Sequence, residues 1–289
     1  MTTPVEPPTD GNVYFNDPES GAEMARLIDQ DRLITQGMGG PLPEQSNDFA
    51  DMHRILDIGC GPGGWLLDIA FEHPEIEAVG IDISRAMTDY ARGRAKVQGL
   101  HNASFHAMDM LQPLQFPDHF FDLVNGRFIA FLPIKAWPSF LQECLRVTRP
   151  GGSIRLTESE WWNFSTSLAL EQQLGMIIHA LKKGGQSFSP SGNLVGITPM
   201  LRSLLRDAGC VNIQHKAHTI DYSFGEEVHQ AFCKDFALSS RFMQPFIFNS
   251  GVATQEELDQ IQQQLELDMM QEDFRAIMFI LTAWGQKPQ

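Results

Sequence analysis

Basic side chains are scarce in this chain. Twenty-one lysines and arginines stand against 36 aspartates and glutamates in 289 residues, a formal net charge of −15 at pH 7, with a pI near 4.9. Nucleic-acid binding is driven by neutralising backbone phosphates, so no DNA or RNA substrate is expected; the densest basic pair, Lys182-Lys183, reads as a solvated helix end. Cysteine is equally sparse. Cys60, Cys144, Cys210 and Cys233 lack the spacing of a zinc site or a disulfide framework and fit a reducing compartment. No His-Glu-x-x-His or aspartate-rich loop occurs, so no metal is expected. The most apolar stretch, Ala276 to Trp284, falls far short of the roughly 20 residues that span a bilayer. The acidic, proline-rich start from Met1 to Pro8 lacks the basic and apolar regions of a signal peptide. A cytoplasmic protein without a membrane span is expected.

Glycine, in contrast, is concentrated where it matters. Arg54 to Ile58 is a short apolar strand running into Gly59-Cys60-Gly61-Pro62-Gly63, and a helix-forming stretch follows. Glycines there let the chain turn tightly and approach a ligand without a Cβ in the way. Asp57 stands just before the first glycine, placed to receive an ammonium rather than a pyrophosphate, which prefers bare N–H groups. A second strand ends in Asp82, followed by Ile83, about 20 residues beyond the loop, the distance at which an acid reaches ribose hydroxyls. A third, Phe105 to Met108, is followed by Asp109-Met110, placed to accept from an adenine amine. Amine, ribose and adenine sites without a phosphate site describe S-adenosylmethionine. Cys60 within the loop reads as a small residue rather than a reactive thiol.

With these residues the chain resembles the class I S-adenosylmethionine-dependent methyltransferases from about 54 to 160. Leu56 to Gly63 is similar to their first motif, Asp82 to their ribose acid, Asp109-Met110 to their adenine pair, Phe121 to Asn125 to their fourth strand, and Arg149-Pro150-Gly151-Gly152 to the approach to their fifth. Asp31-Arg32-Leu33 to Gly39-Gly40 and Lys135 to Pro138 further resemble a methyltransferase-domain family that includes fungal regulators of secondary metabolism. The resemblance implies an α/β fold of Rossmann type: a seven-stranded, mostly parallel sheet with one antiparallel strand, helices on both faces, an N-terminal cap and helical lid insertions. It also implies that the segment before the first strand lies over the cofactor, bringing Tyr14 and Arg32 near its methionine end, where Asn125 and Arg127 close the fourth strand. The alternative is an amphipathic helix packed on the sheet edge.

The organisation expected is a disordered tail over 1–13, a cap over 14–50 and the main domain over 51–289. Asp17-Pro18 is expected to cap the first helix, whose apolar stripe is Met24, Leu27, Ile28 and Ile34. Five strands then alternate with helices. Thr198-Pro199 opens a helix that Gly209 closes, Val211 to His215 is the sixth strand and Ala276 to Trp284 the last. The insertions, roughly 161–197 and 219–275, are where substrate identity is expected to reside. Phe232, Phe236, Phe242, Met243, Phe246 and Phe248 crowd the larger one, either as its own core or as a lid over an apolar pocket.

Glu158 and Glu160 alternate at the end of the fifth strand, before Trp161-Trp162, and are the expected acceptor-site acids; a base is needed only for an acceptor proton of high pKa. His179, His215, His218 and His229 lie in or near the variable segments, and the sequence does not choose between them. The leading reading is methylation of a small, largely apolar or aromatic molecule at O, N or C, in secondary metabolism. A second is a regulatory protein that binds the cofactor without turnover. A nicotinamide-dependent dehydrogenase is disfavoured, because Gly-x-Gly-x-x-Gly is met only in a register that begins after Asp57 and ends on Gly64.

Overall fold

The computed structural model describes residues 16, 17, 19–45, 47–160 and 164–289. Tyr14, the 1–13 tail, Pro18 and Trp161-Trp162 lie outside the described residues. The strands are β1 (Arg54–Ile58), β2 (Glu77–Asp82), β3 (Ala103–Ala107), β4 (Phe121–Arg127), β5 (Thr148–Ser159), β6 (Phe164–Ser165), β7 (Val211–Asp221) and β8 (Ala276–Gln286). They form one sheet in the order β3-β2-β1-β4-β5-β8, with β7 on the far side of β8. β8 alone runs antiparallel to its neighbours. Chain order reverses between β1 and β4, and an open α/β sheet binds its ligand in the crevice at such a point.

Two differences from expectation have simple causes. β6 is an eighth, two-residue strand: past Ser159, which faces Ile280, Phe164 takes up pairing opposite Ile277 on the same edge of β8. β7 runs to Asp221 rather than His215, because this edge strand is mostly exposed and has no apolar alternation to mark its length. The larger insertion therefore begins at 222.

Helices α1 (Gly21–Met38), α2 (Gly64–Glu72), α3 (Arg85–Gln98), α4 (Trp137–Val147), α5 (Leu168–Lys183), α6 (Leu201–Ala208), α7 (His229–Asn249) and α8 (Gln255–Asp268) surround the sheet. Their ends follow capping chemistry. Ser84 caps α3 through its hydroxyl and left-handed Gly99 ends it; Gly209, at φ +106°, ends α6; Thr254 and Glu257 close a capping box on α8. The cap of α1 is Ser20 rather than Asp17.

Successive strand residues point to opposite faces, and the two faces carry different cores. Ile55 and Leu123 pack with Trp65, Leu66 and Ile69 of α2. Leu56, Ile58, Val124, Ile154 and Leu156 pack with Trp137, Phe140 and Leu141 of α4 and Ile177 and Leu181 of α5. By the same alternation Asp57, Asn125, Arg127, Arg155 and Ser159 share the first face, whereas Glu158 and Glu160 share the second. Within the larger insertion, Phe232 and Phe236 are buried against Tyr222, at centroid distances of 5.4 and 4.9 Å. Both lie in the core that also covers the second face of the sheet.

Candidate active site

The turn after β1 holds its shape through backbone bonds: the Cys60 N–H donates to the Ile81 carbonyl at 2.9 Å, and the Gly63 N–H to Cys60 at 3.0 Å. Gly59, Gly61 and Gly63 have φ of +69°, +51° and +79°, a region that side chains enter only with strain. At Gly63 a Cβ would also lie 2.7 Å from the Phe105 ring. The turn forms the floor of a cavity of about 210 Å³.

Asp57, Gly59, Gly61, Asp82, Ile83, Asp109 and Met110 all border this cavity. Asp82 accepts from the Gly61 N–H through Oδ2 and the Ser84 N–H through Oδ1, both at 2.9 Å; burial raises its pKa while these N–H groups oppose the rise. Asp109 accepts from the Leu111 N–H at 2.8 Å through Oδ1. Asp57 accepts from the Asn125 amide at 2.7 Å through Oδ1. Burial pushes Asp57 up to about 7, with the Arg127 guanidinium and the Asn125 amide pulling against it.

Asn125 does not border the cavity. It is fully buried, and its Oδ1 accepts from Arg155 Nη1 at 2.8 Å. Asp57, Asn125 and Arg155 are register neighbours on β1, β4 and β5, so their side chains form a row across one face of the sheet. Glu44, in the short helical turn Pro43–Gln45, ends the row with a buried ion pair to Arg155 at 2.6 Å. Asn125 therefore sets the orientation of Asp57 from behind. Sequence spacing gave no hint of Glu44 or Arg155.

The cavity's roof is α1. Arg26, Leu27, Gln30, Asp31 and Ile34 line it, whereas Arg32 is exposed on the other side of the helix. Besides Arg26, Arg127 brings a cation to the cavity. It pairs with Asp31 and donates to the Thr35 hydroxyl at 3.0 Å, tying the end of β4 to α1, and a Cβ at Gly64 would collide with the Asp31 carboxylate. The early turns of α1 are not an apolar stripe. Glu23 and Arg26 are buried, and Arg26 bonds both Glu23 and Asp235 of α7 at 2.8 Å. Gln30 donates to the other oxygen of Asp235 at 3.0 Å. This clasp joins cap and insertion over the cavity.

The remaining wall is apolar: Phe128, Ile129, Phe131 and Leu132 after β4, Met278 of β8 and Met243 of α7, with Ser159 and Ser239 among them. Phe128 is held at φ +54° with its N–H on the Thr157 carbonyl, a strained conformation for a bulky residue that directs the following loop into the wall. Neither Glu158 nor Glu160 lines the cavity. Glu160 accepts from the Gly196 and Thr198 N–H groups and the Thr198 hydroxyl at 2.6 to 2.9 Å, and so fixes the loop before α6. Glu158 accepts from the Ile129 N–H at 2.7 Å, and burial raises its pKa well above the carboxylate range. The two do share a face, but it is the face away from the cavity; Ser159 points in. None of His179, His215, His218 and His229 borders the cavity either. His229 is held by the Tyr222 carbonyl.

Residues 55–152 match the family described as "Methyltransferase domain". Over these residues the chain carries a methyltransferase domain. Among relatives, the ajmaline N-methyltransferase of Rauvolfia serpentina is 31% identical over 180 residues, covering 61% of this chain and 58% of that protein. The chain spans less than two thirds of the length of the first curated relatives it matches. Of solved structures, phosphoethanolamine N-methyltransferase 2 of Haemonchus contortus, in complex with S-adenosyl-L-methionine, superposes with a TM-score of 0.58 at 16% identity over 96% of this chain and 61% of that one. The 4+2 cyclase SpnF gives 0.54 at 19% over 94% and 97%. At these identities the structures establish the fold of the methyltransferase domain.

The residues present fit the family's cofactor. Asp57 and Asp109 each spend one carboxylate oxygen inside the protein, and the other takes no hydrogen bond from any described residue. Each Asp82 oxygen accepts a single hydrogen bond and retains a second lone pair. In this methyltransferase domain Asp57 would hold the ammonium, Asp82 the ribose hydroxyls and Asp109 the adenine amine.

Proposed function

We propose that the chain transfers a methyl group from S-adenosylmethionine to a small, largely apolar or aromatic acceptor, at O, N or C, in secondary metabolism. The observation that supports this most is the continuity of one cavity, acidic and glycine-lined on the strand-end side, and walled by phenylalanine, isoleucine, leucine and methionine elsewhere. The cofactor, when bound, would supply a methyl carbon on a sulfonium to an acceptor lone pair, with the C–S electrons returning to sulfur and any acceptor proton lost to solvent. The protein's part is placement. Asp57, backed by Asn125 and Arg155, and the α1 roof, held by Asp31–Arg127 and Arg26–Asp235, fix the partners in position. The apolar wall excludes competing water, so effective molarity supplies much of the rate.

Release of S-adenosylhomocysteine over a panel of small phenols, amines and carbon acids tests the proposal. Tight cofactor binding with no release from any acceptor would favour the second reading, a cofactor-binding regulator without turnover. That reading stands beside the first because a fold does not dictate its reaction.

A further inference from the structure

Two uncharged polar groups bordering the cavity stand on facing helices, one in the α1 roof and one in the apolar wall. Gln30 of α1 gives its amide N–H to Asp235, and its Oε1 takes no hydrogen bond from any described residue. Ser239 of α7 is buried at 4% exposure, borders the cavity, and its hydroxyl makes no hydrogen bond among the described residues. A helical serine often turns its hydroxyl back onto its own helix, as Ser250, just past the end of α7, does onto the Ile247 carbonyl. Ser239 does not. Asp235, Ser239 and Met243 recur every four residues and so share one stripe of α7, which places Ser239 one turn from the residue that Gln30 holds.

The cations bordering the same space are already neutralised. Arg26 is held by two carboxylates, Glu23 and Asp235, and Arg127 by Asp31. An anion entering here would meet no unpaired positive charge among the described residues and would carry its desolvation cost uncompensated. A neutral group with a proton to give meets an amide oxygen that accepts and a hydroxyl that both donates and accepts.

We propose that Gln30 and Ser239 are the recognition point for the acceptor, and that the acceptor is a neutral, largely apolar molecule presenting one hydroxyl or N–H group, not a carboxylate or phosphate. This rests on the reading of the cavity as a methyl-acceptor site. The test measures binding without turnover. The full chain, saturated with S-adenosylhomocysteine, is titrated by calorimetry and ligand-observed NMR with two series: phenol, benzene and benzoate; 2-naphthol, naphthalene and 2-naphthoate. The hydroxy member of at least one series binds tenfold or more tightly than its hydrocarbon and its carboxylate. In Ser239→Ala, which removes only the hydroxyl, that preference shrinks to within threefold while the hydrocarbon's affinity holds; Gln30→Met acts in the same direction. Carboxylates binding as well as the phenols, failure of both phenols to bind, or a preference that survives Ser239→Ala and Gln30→Met together would overturn the assignment. Failure of S-adenosylhomocysteine to bind would instead count against the cofactor reading.

Discussion

Protonation of Asp57 should control the cofactor's affinity across the neutral range. Its carboxyl stands near 7 because burial outweighs the help of Arg127 and Asn125. Such a group binds its proton more tightly folded than unfolded, so it favours folding at low pH, and this contribution is lost as pH rises from about 3.8 through about 7. The cost of ionising it in the ligand-free protein amounts to roughly 4 kcal/mol. An ammonium partner needs the ionised form, so cofactor affinity runs the other way and rises with pH. Two pH units below its midpoint about 1% of the sites are ionised, and affinity at pH 5 should be about 100-fold weaker than above 7. An upper limb follows from the ligand, because an α-amino group loses its proton near 7.7 to 8.0. Calorimetric titration of S-adenosylhomocysteine from pH 5 to 9 should therefore give a bell with its maximum between 7 and 8. Below 7 the heat should also depend on the buffer's ionisation enthalpy, as a proton is released on binding. Asp82 is raised by burial too, so Asp57→Asn is the control: weaker binding with the acid limb flattened. A wild-type affinity that is level from pH 5 to 7, or an acid limb unchanged in Asp57→Asn, would refute the reasoning.

The other expectations are more local. Asp82→Asn should lose at least tenfold in cofactor affinity by calorimetry, since hydrogen bonds to a charged group contribute about 1.5–3 kcal/mol each; unchanged affinity would remove Asp82 from the ribose role. Glu160→Gln should cost about 1–3 kcal/mol of stability in denaturant melts, because one oxygen that accepts becomes an amide facing N–H donors, with no selective change in cofactor affinity; a selective loss would return Glu160 to the site. Phe232→Ala and Phe236→Ala should each cost about 3–5 kcal/mol without a selective effect on acceptors, whereas Met243→Ala, buried but bordering the cavity, should cost about 2–5 kcal/mol and in addition alter acceptor preference among the folded molecules. Arg26→Ala, which leaves Glu23 and Asp235 buried without their cation, should cost about 3–5 kcal/mol and speed hydrogen exchange in α1 and α7 together.

What could be read from the sequence was what is local to a strand end. Gly59, Gly61, Asp82, Asp109 and the β1–β2 spacing are set within single supersecondary units, and the structure collects them around one cavity. Missing from such a reading were relations that only packing creates. The alternation of Glu158 and Glu160 says that they share a face, but only the neighbouring helices decide which face meets the ligand, and Ser159 took that place. The inward stripe of α1 was obscured because Glu23, Arg26 and Gln30 are polar; Arg26 offsets the charge of Glu23, and Arg26 and Gln30 both bond Asp235, more than 200 residues away in the chain. The same holds for Arg127 with Asp31 and for Glu44 with Arg155. No periodicity marks a residue whose partner lies on another element, although charged residues on an otherwise inward-facing helix stripe were a usable sign.

The pairing of Asp221 with Ile277 sets the two ends of the larger insertion side by side on β7 and β8. Antiparallel partners stand about 5 Å apart, so whatever the chain does between them, it leaves and rejoins the sheet at nearly the same point. Closing a longer or shorter excursion at such a gate changes the entropy only slowly with length. The segment carrying Ser239 and Met243 thus behaves as an exchangeable cassette: it can be lengthened, shortened or replaced while the strand order and the floor with Asp57, Asp82 and Asp109 persist. Tailoring to a new acceptor would proceed there first, within the need to keep a partner for Arg26 and to fill the core that Phe236 and Ile247 share with the sheet.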